Sequence, residues 1–263
     1  MKLSLSGTVN HFTKYRDFFV LLVERDIKLK YRRSFLGYLW SILSPLLSMV
    51  VLTVVFSTMF HRSIENFPVY LLIGNIMFSF MRESSTLAMY SILNNAALLK
   101  KVRVPKYIFT LSTVTSSFVT FVFSLGALII VMLATSTQFS LYLLLIFIPI
   151  VELYVFSVGL GLLVAQATVF FRDVKNIWGV VTLAWMYLTP IFYPLEAVPD
   201  FLQKWIPILN PMYSFITQAR TLVLDRMMPE PMLILQGALM ALVMLLLGSA
   251  LFKHNSKSFI LYI

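Results

Sequence analysis

The feature that most constrains this chain is a set of apolar blocks too long and too uninterrupted for a water-soluble core. Residues 36–60, 107–134 and 232–252 are the clearest. A helix rises 1.5 Å per residue, so about 20 predominantly apolar residues cross the hydrocarbon of a bilayer. Of the 263 residues, 59% are hydrophobic and 12% charged, whereas soluble domains hold about 45–50% apolar and roughly 25% charged residues. The expected fold is an all-α polytopic membrane protein, a single transmembrane domain over residues 1–263.

Six spans are expected, at about 36–60, 68–93, 107–134, 141–167, 176–195 and 232–252. The second is the weakest, because it contains Arg82 and Glu83. Short loops rich in Lys and Arg stay on the cytoplasmic side. Lys28, Lys30, Arg32 and Arg33 precede the first span, and Lys100, Lys101, Arg103 and Lys106 separate the second from the third. Arg172 and Lys175 lie between the fourth and fifth, and Lys253 and Lys257 follow the sixth. The alternate loops hold Arg62 in one case and no charge in 135–140 in the other. Both termini are therefore expected in the cytoplasm. The net charge of +10 sits beside the spans, where it sets orientation and meets anionic headgroups, so nucleic acid is not the expected partner.

The first apolar run, 18–23, is too short and too closely flanked by charge to be a cleavable signal. Residues 10–33 read instead as an amphipathic interface helix. Phe12, Tyr15, Phe19, Leu22, Val23 and Ile27 share one face, with Lys14, Arg25, Lys28 and Arg32 opposite. Segment 196–231 is apolar but broken by Pro199, Pro207 and Pro211, and proline disrupts a helix interior. Two short helices dipping back into the outer leaflet fit it better than another span. A lipid-lying cap is the plainer alternative.

Catalytic chemistry finds little support. With no cysteine, disulfides and thiolate sites are excluded. His11, His61 and His254 are far apart, without the i, i+4 spacing of paired metal ligands, so no metal site is expected. No G-x-x-x-x-G-K-[ST] loop or G-x-S-x-G elbow occurs. Three acidic or basic residues lie inside spans, where charge is costly and by default functional: Arg82, Glu83 and Glu152. Glu152 is placed either in a pair with Arg82 or on a wet pathway. The small residues Ser157, Gly161 and Ala165 suit close helix packing, within one subunit or between two, and the Ser/Thr-rich stretch 110–120 is equally open. Trp178, Trp185, Tyr187, Phe192, Tyr193 and Trp205 fit an interfacial aromatic belt or stacking surfaces for sugar rings.

Four stretches, taken in order, resemble the membrane (permease) subunit of a bacterial ABC polysaccharide exporter of the O-antigen, capsule and teichoic-acid class, with the type-2 exporter fold. They are Arg25-Asp-Ile-Lys-Leu-Lys-Tyr-Arg-Arg33 running into Leu36-Gly-Tyr-Leu-Trp-Ser-Ile-Leu-Ser-Pro-Leu-Leu47; Leu98-Leu-Lys-Lys-Val-Arg-Val-Pro105; Phe171-Arg-Asp-Val174; and Thr189-Pro-Ile-Phe-Tyr-Pro194 followed by Val198-Pro199 and Asn210-Pro211. The resemblance implies a homodimer working with two copies of a separate P-loop ATPase, which would hold ATP and Mg; no cofactor is expected on this chain. It places a coupling helix at about 94–106 and an external re-entrant gate within 196–231. Lys100, Lys101, Arg103, Pro105, Arg172 and Asp173 are then the coupling candidates. The implied cargo is a lipid-linked glycan, as in lipopolysaccharide biosynthesis. Its pathway candidates are Tyr38 and Trp40 at the inner entrance and Trp185, Tyr187 and Tyr193 toward the outside. An exporter of a small molecule or lipid on the same fold is the nearest alternative. A membrane glycosyl-phosphate transferase fits poorly for want of clustered acids.

Overall fold

The computed structural model describes residues 5–32, 34–60, 64, 66–101 and 104–262; Arg33, His61, Arg62 and Arg103 lie outside them. Among the described residues all regular structure is helical. In chain order the α-helices are α1 (Leu5–Tyr31), α2 (Trp40–Phe60), α3 (Phe67–Ser91), α4 (Ala96–Lys101), α5 (Tyr107–Ala134), α6 (Phe147–Phe170), α7 (Val174–Leu188), α8 (Asp200–Leu209), α9 (Pro211–Arg220) and α10 (Pro231–Asn255).

Among the described residues four stretches are long and apolar enough to cross a membrane: Gly37–Phe56, Tyr107–Ala134, Leu141–Phe170 and Pro231–Asn255. The other two expected spans differ for separate reasons. α3 is 25 residues long, but Asn75, Ser79, Arg82 and Glu83 dilute its apolar surface. α7 stops after 15 residues, about 22 Å of helix, and residues 189–193 are non-helical. The expected span 176–195 therefore ends in unwound backbone. In segment 196–231 Pro199 precedes α8 and Pro211 opens α9, where its missing N–H costs no helix bond, whereas Pro207 lies inside α8 and does not break it. Asn210 caps α9 by accepting from Met212 N.

α3 occupies the centre, packed by α2, α5, α6, α7 and α9. Its two ends are tied to opposite ends of α5. Asn66, at the start of α3, donates to Thr135 and Thr137, and Ser91 bonds Thr110 at 2.9 Å. α6 and α10 lie parallel, with Gly159 and Gly248 in backbone contact: a Cβ on either glycine would overlap the other helix's main chain. The opposite side of α6 presents Gly161 to Ala88 and Val114. Ser157, Gly161 and Ala165 are all buried, so this small-residue series serves packing inside the subunit. α1 starts earlier than expected and packs along the first turns of α5, with Phe18 edge-on to Phe109 at 5.8 Å. Its Arg25 does not join the outward basic face. It turns inward to Asn95 at 3.0 Å.

Arg220 organises the end of the bundle remote from α4. Its side chain is buried, yet no carboxylate pairs with it among the described residues. The guanidinium instead donates to three backbone carbonyls, Pro190 O at 2.7 Å, Ile191 O at 3.1 Å and Tyr70 O at 3.1 Å. It also lies 3.3 Å from the centroid of the Tyr70 ring. Gly74 leaves room for it, since a Cβ there would come within 2.9 Å of a guanidinium nitrogen. The unwound stretch after α7 is thus fixed to α3 and α9 by one side chain. Asn210 fixes it a second time, donating to Thr189 Oγ1 at 2.9 Å and accepting from Trp185 Nε1 at 2.8 Å.

Two predictions concern stability, read as thermal unfolding of purified protein in detergent. Gly159→Ala should destabilise by about 1–3 kcal/mol, because the overlap is with backbone that cannot rotate away. Gly179→Ala meets open space and should be neutral or stabilising, since alanine is the better helix former. Equal shifts for the two would contradict the backbone contact. Arg220→Lys should cost at least about 2 kcal/mol, because one ammonium cannot replace a planar fork spanning carbonyls on two segments. An unchanged midpoint would show that the fork is dispensable.

Candidate functional site

Three helices each carry a polar stripe at helical spacing. Ser41, Ser44 and Ser48 lie on α2, Asn75, Ser79 and Glu83 on α3, and Ser117, Thr120 and Ser124 on α5. Steps of three or four residues place each set on one face. The three faces converge on a cavity of about 400 Å³, whose walls also include Tyr31, Trp40, Phe80 and Phe121. Ser41, Ser117, Thr120 and Ser124 direct their protons to carbonyls of the preceding helical turn, leaving acceptor lone pairs. Ser44, Ser48, Asn75 and Ser79 make no side-chain hydrogen bond among the described residues. The buried Tyr31 hydroxyl also lacks a partner. This cleft is polar, neutral over most of its wall, and supplied with donors and acceptors for a hydroxyl-rich ligand.

Its one charged feature is the ion pair between Lys30 of α1 and Glu83 of α3. The same pair borders a second cavity of about 580 Å³, which runs between α1, α3 and α5 past Asp26, Asn94 and Asn95. Lys30–Glu83 therefore stands where the two cavities meet and joins the interface helix to the central helix.

Glu152 does not meet Arg82, as the first of its two expected placements required. It accepts from Gln218 of α9 at 2.8 Å, and Gly237 of α10 leaves the space for this contact. Arg82 is exposed. The reason is rotational: Glu83, one position on, is the residue of α3 turned toward a cation.

The aromatic candidates fall into two groups. Trp40 lines the cleft, and Tyr38, half exposed, packs against Tyr31 at 4.8 Å between ring centroids. Tyr187 is exposed, and Tyr193 is partly buried and donates to the Tyr187 carbonyl. Trp185 belongs to the bundle interior, edge-on to Phe78 and Phe156 with its N–H on Asn210.

Of the coupling candidates, Lys100 and Lys101 end α4 and are exposed, while Leu99 anchors that helix. Pro105 is half-buried, Arg172 and Asp173 are exposed beside the start of α7, and Arg103 lies outside the described residues. Lys106 is not available to a partner in the same way. It donates to the Ser256 carbonyl and lies 5.3 Å from the Phe259 ring centroid, and burial lowers its pKa.

Sequence reasoning did not single out Arg220, Gln218 or the serine stripe of α2, and it met Asn210 only within the Asn210-Pro211 stretch of the resemblance. The Ser41, Ser44, Ser48 spacing was a usable signal; the partners of Arg220 and Gln218 come from distant segments and leave no local mark.

Residues 17–224 match the ABC-2 type transporter family. The chain is 28% identical over 252 residues to the O-antigen export system permease protein RfbA of Myxococcus xanthus, covering 95% of this chain and 97% of that one. It is 25% identical over 239 residues to the polysialic acid transport protein KpsM of Escherichia coli, with 89% and 92% covered. To the capsule polysaccharide export inner-membrane protein CtrC of Neisseria meningitidis serogroup A it is 29% identical over 197 residues, 73% of each chain. The protein belongs to the ABC-2 type transporter family of membrane proteins.

Proposed function

We propose that the chain is the membrane subunit of an ATP-driven exporter that carries a lipid-linked polysaccharide out across the cytoplasmic membrane. The observation that carries this reading is the neutral cleft lined by hydroxyls and an amide beside Trp40, in a chain whose relatives are named for O-antigen, polysialic acid and capsule export. Sugars present hydroxyls at their edges and apolar C–H faces. Hydroxyl walls exchange hydrogen bonds with the former, and aromatic rings cover the latter. With little fixed charge, no single contact is strong enough to stall a sliding polymer.

In this reading α3 and α7 are the second and fifth passes. The end-to-end ties between α3 and α5 and the bond from Trp178 of α7 to Ser85 of α3 at 3.1 Å support it. Lys100, Lys101, Arg172, Lys175 and Lys253 flank helix ends that share one side under this threading, so that side and both termini face the cytoplasm. α8 and α9 form the external gate, dipping back from the outer surface. Two copies of the chain enclose the pathway, with Tyr38 and Trp40 at its entrance and Tyr187 and Tyr193 toward the exit, while Trp185 braces the frame. ATP and Mg belong to two separate P-loop ATPase subunits, which press on α4 through Lys100 and Lys101 and on Arg172 and Asp173.

Two outcomes are expected. Ser44→Leu combined with Asn75→Leu should cut surface polysaccharide severalfold while leaving protein level and complex ATPase activity intact; Ser249→Leu, on the exposed side of α10, should not. Normal polysaccharide from the double variant would separate the cleft from transport. Alone, the purified chain should hydrolyse no ATP. In the reconstituted complex, Lys100→Glu with Lys101→Glu should lower hydrolysis and export without loss of membrane insertion. Unaltered hydrolysis and export would reduce these lysines to a topology signal.

A further inference from the structure

A cavity of about 810 Å³ lies at the end of the bundle remote from Lys100 and Lys101. Four chain segments meet around it: the lead-in to α3, the α5–α6 connection, residues 190–196, and the π-helical turn Thr221–Asp225 that follows α9. Among the described residues the only non-glycine residues with positive φ are Asn66 (φ 51), Ser136 (φ 54) and Arg226 (φ 55). All three line this one basin. Left-handed backbone is disfavoured for residues with a Cβ, and such conformations persist where the surroundings impose them and cluster at ligand sites. π-turns have the same bias.

Here the surroundings do impose them. The Asn66 amide donates to Thr137 Oγ1 at 2.6 Å and to Thr135 Oγ1 at 3.1 Å. Arg226 donates to the Gln138 side-chain oxygen, and Arg220 holds the carbonyls of Pro190 and Ile191. Connections from distant parts of the chain are thus bonded to one another before any ligand arrives. The two cations at the basin are engaged in these bonds. Its two carboxylates, Glu196 and Asp225, are exposed and accept no side-chain hydrogen bond or ion pair among the described residues. Tyr70 and Tyr213 contribute aromatic surface.

This inventory selects a ligand class. Engaged cations and free carboxylates disfavour an anion, and the polar wall disfavours an apolar molecule. Carboxylates that can each accept two hydroxyl protons, with amide, hydroxyl and aromatic groups around them, fit a neutral or cationic saccharide. We propose that the basin is a saccharide-binding site that holds glycan emerging on the far side of the membrane. The assignment rests on the export reading above. A segment held there lowers the chance that a weakly gripped polymer slides back between strokes.

The test uses the full-length chain in lipid nanodiscs. The probe is the lipid-free oligosaccharide released by mild acid from the surface polysaccharide of the source strain, titrated by calorimetry with saturation-transfer NMR. Saturable binding is expected, unaffected by EDTA. Glu196→Gln with Asp225→Asn keeps shape and removes both charges; it should weaken binding about tenfold or more without lowering the unfolding temperature. The Ser249→Leu variant, altered on the exposed side of α10, should bind like the parent. No saturable binding to the parent, or equal binding by the carboxylate variant, would overturn the proposal. So would heat from calcium chloride that EDTA abolishes while the oligosaccharide gives none, since the basin would then be a cation site. The export reading fails separately: a strain deleted for this chain would keep its surface polysaccharide. Polysaccharide lost on deletion but no binding to the chain would sink the basin alone.

Discussion

Everything at the far end of this bundle depends on a charge buried without a counter-ion. A guanidinium away from water is costly unless its donors are satisfied, and unwound backbone away from water is costly unless its carbonyls are. Arg220 and the stretch after α7 solve each other's problem: surplus donors meet surplus acceptors. Because α9 supplies the arginine and α3 supplies Tyr70, the arrangement also fixes where two helices sit relative to the break. Gly74 is the third requirement, since any side chain there would displace the guanidinium. A carboxylate partner would have neutralised the charge but left the carbonyls bare.

The membrane-facing part of the fold divides its polar residues between two tasks. Along α5, Ser112 and Thr115 turn to the helix itself or to a neighbour: Ser112 bonds the Phe109 carbonyl and Thr115 meets Tyr154. Ser117, Thr120 and Ser124 of the same helix face the cleft. At 3.6 residues per turn, roughly 140° of rotation separates the framework face of α5 from its cleft face. Ser44 and Ser48 of α2 have no such role among the described residues, which is why their convergence with Asn75 and Ser79 carries weight. An apolar bundle gains nothing from free hydroxyls except affinity for something polar.

Legibility from sequence followed the range of the interaction. The long apolar helices, the basic loops and the proline punctuation of 196–231 were readable because each is encoded by neighbours in the chain. The proline reading held at Pro211, which opens α9 after its Asn210 cap, and failed at Pro207, which lies inside α8. The extent of α7 was not readable: nothing local in Leu188-Thr189-Pro190 distinguishes an apolar span from a short helix that unwinds onto a remote arginine. Glu152 illustrates the same limit. Its acid was visible, but Gln218 lies on a helix whose docking depends on Gly237 of yet another. Opposite charge suggested Arg82, and register excluded it. The Ser44 and Ser48 stripe was present in the pattern, but meaning came only from the facing stripes of α3 and α5.

The glycine contact between α6 and α10 has a mechanical consequence. Where Gly159 meets α10 and Gly248 meets α6, main chain touches main chain with no side chain at the crossing to change rotamer, so neither helix can slide past the other without losing van der Waals contact there. Their ends are latched as well, by Gln166 and Asn255 at 3.0 Å. The pair therefore behaves as a stator. Any displacement of the rest of the bundle would have to be taken up elsewhere, in elements joined by rings, serines and ion pairs. α2 and the Lys30–Glu83 link between α1 and α3 are such elements, and both border the cleft of Ser44 and Asn75.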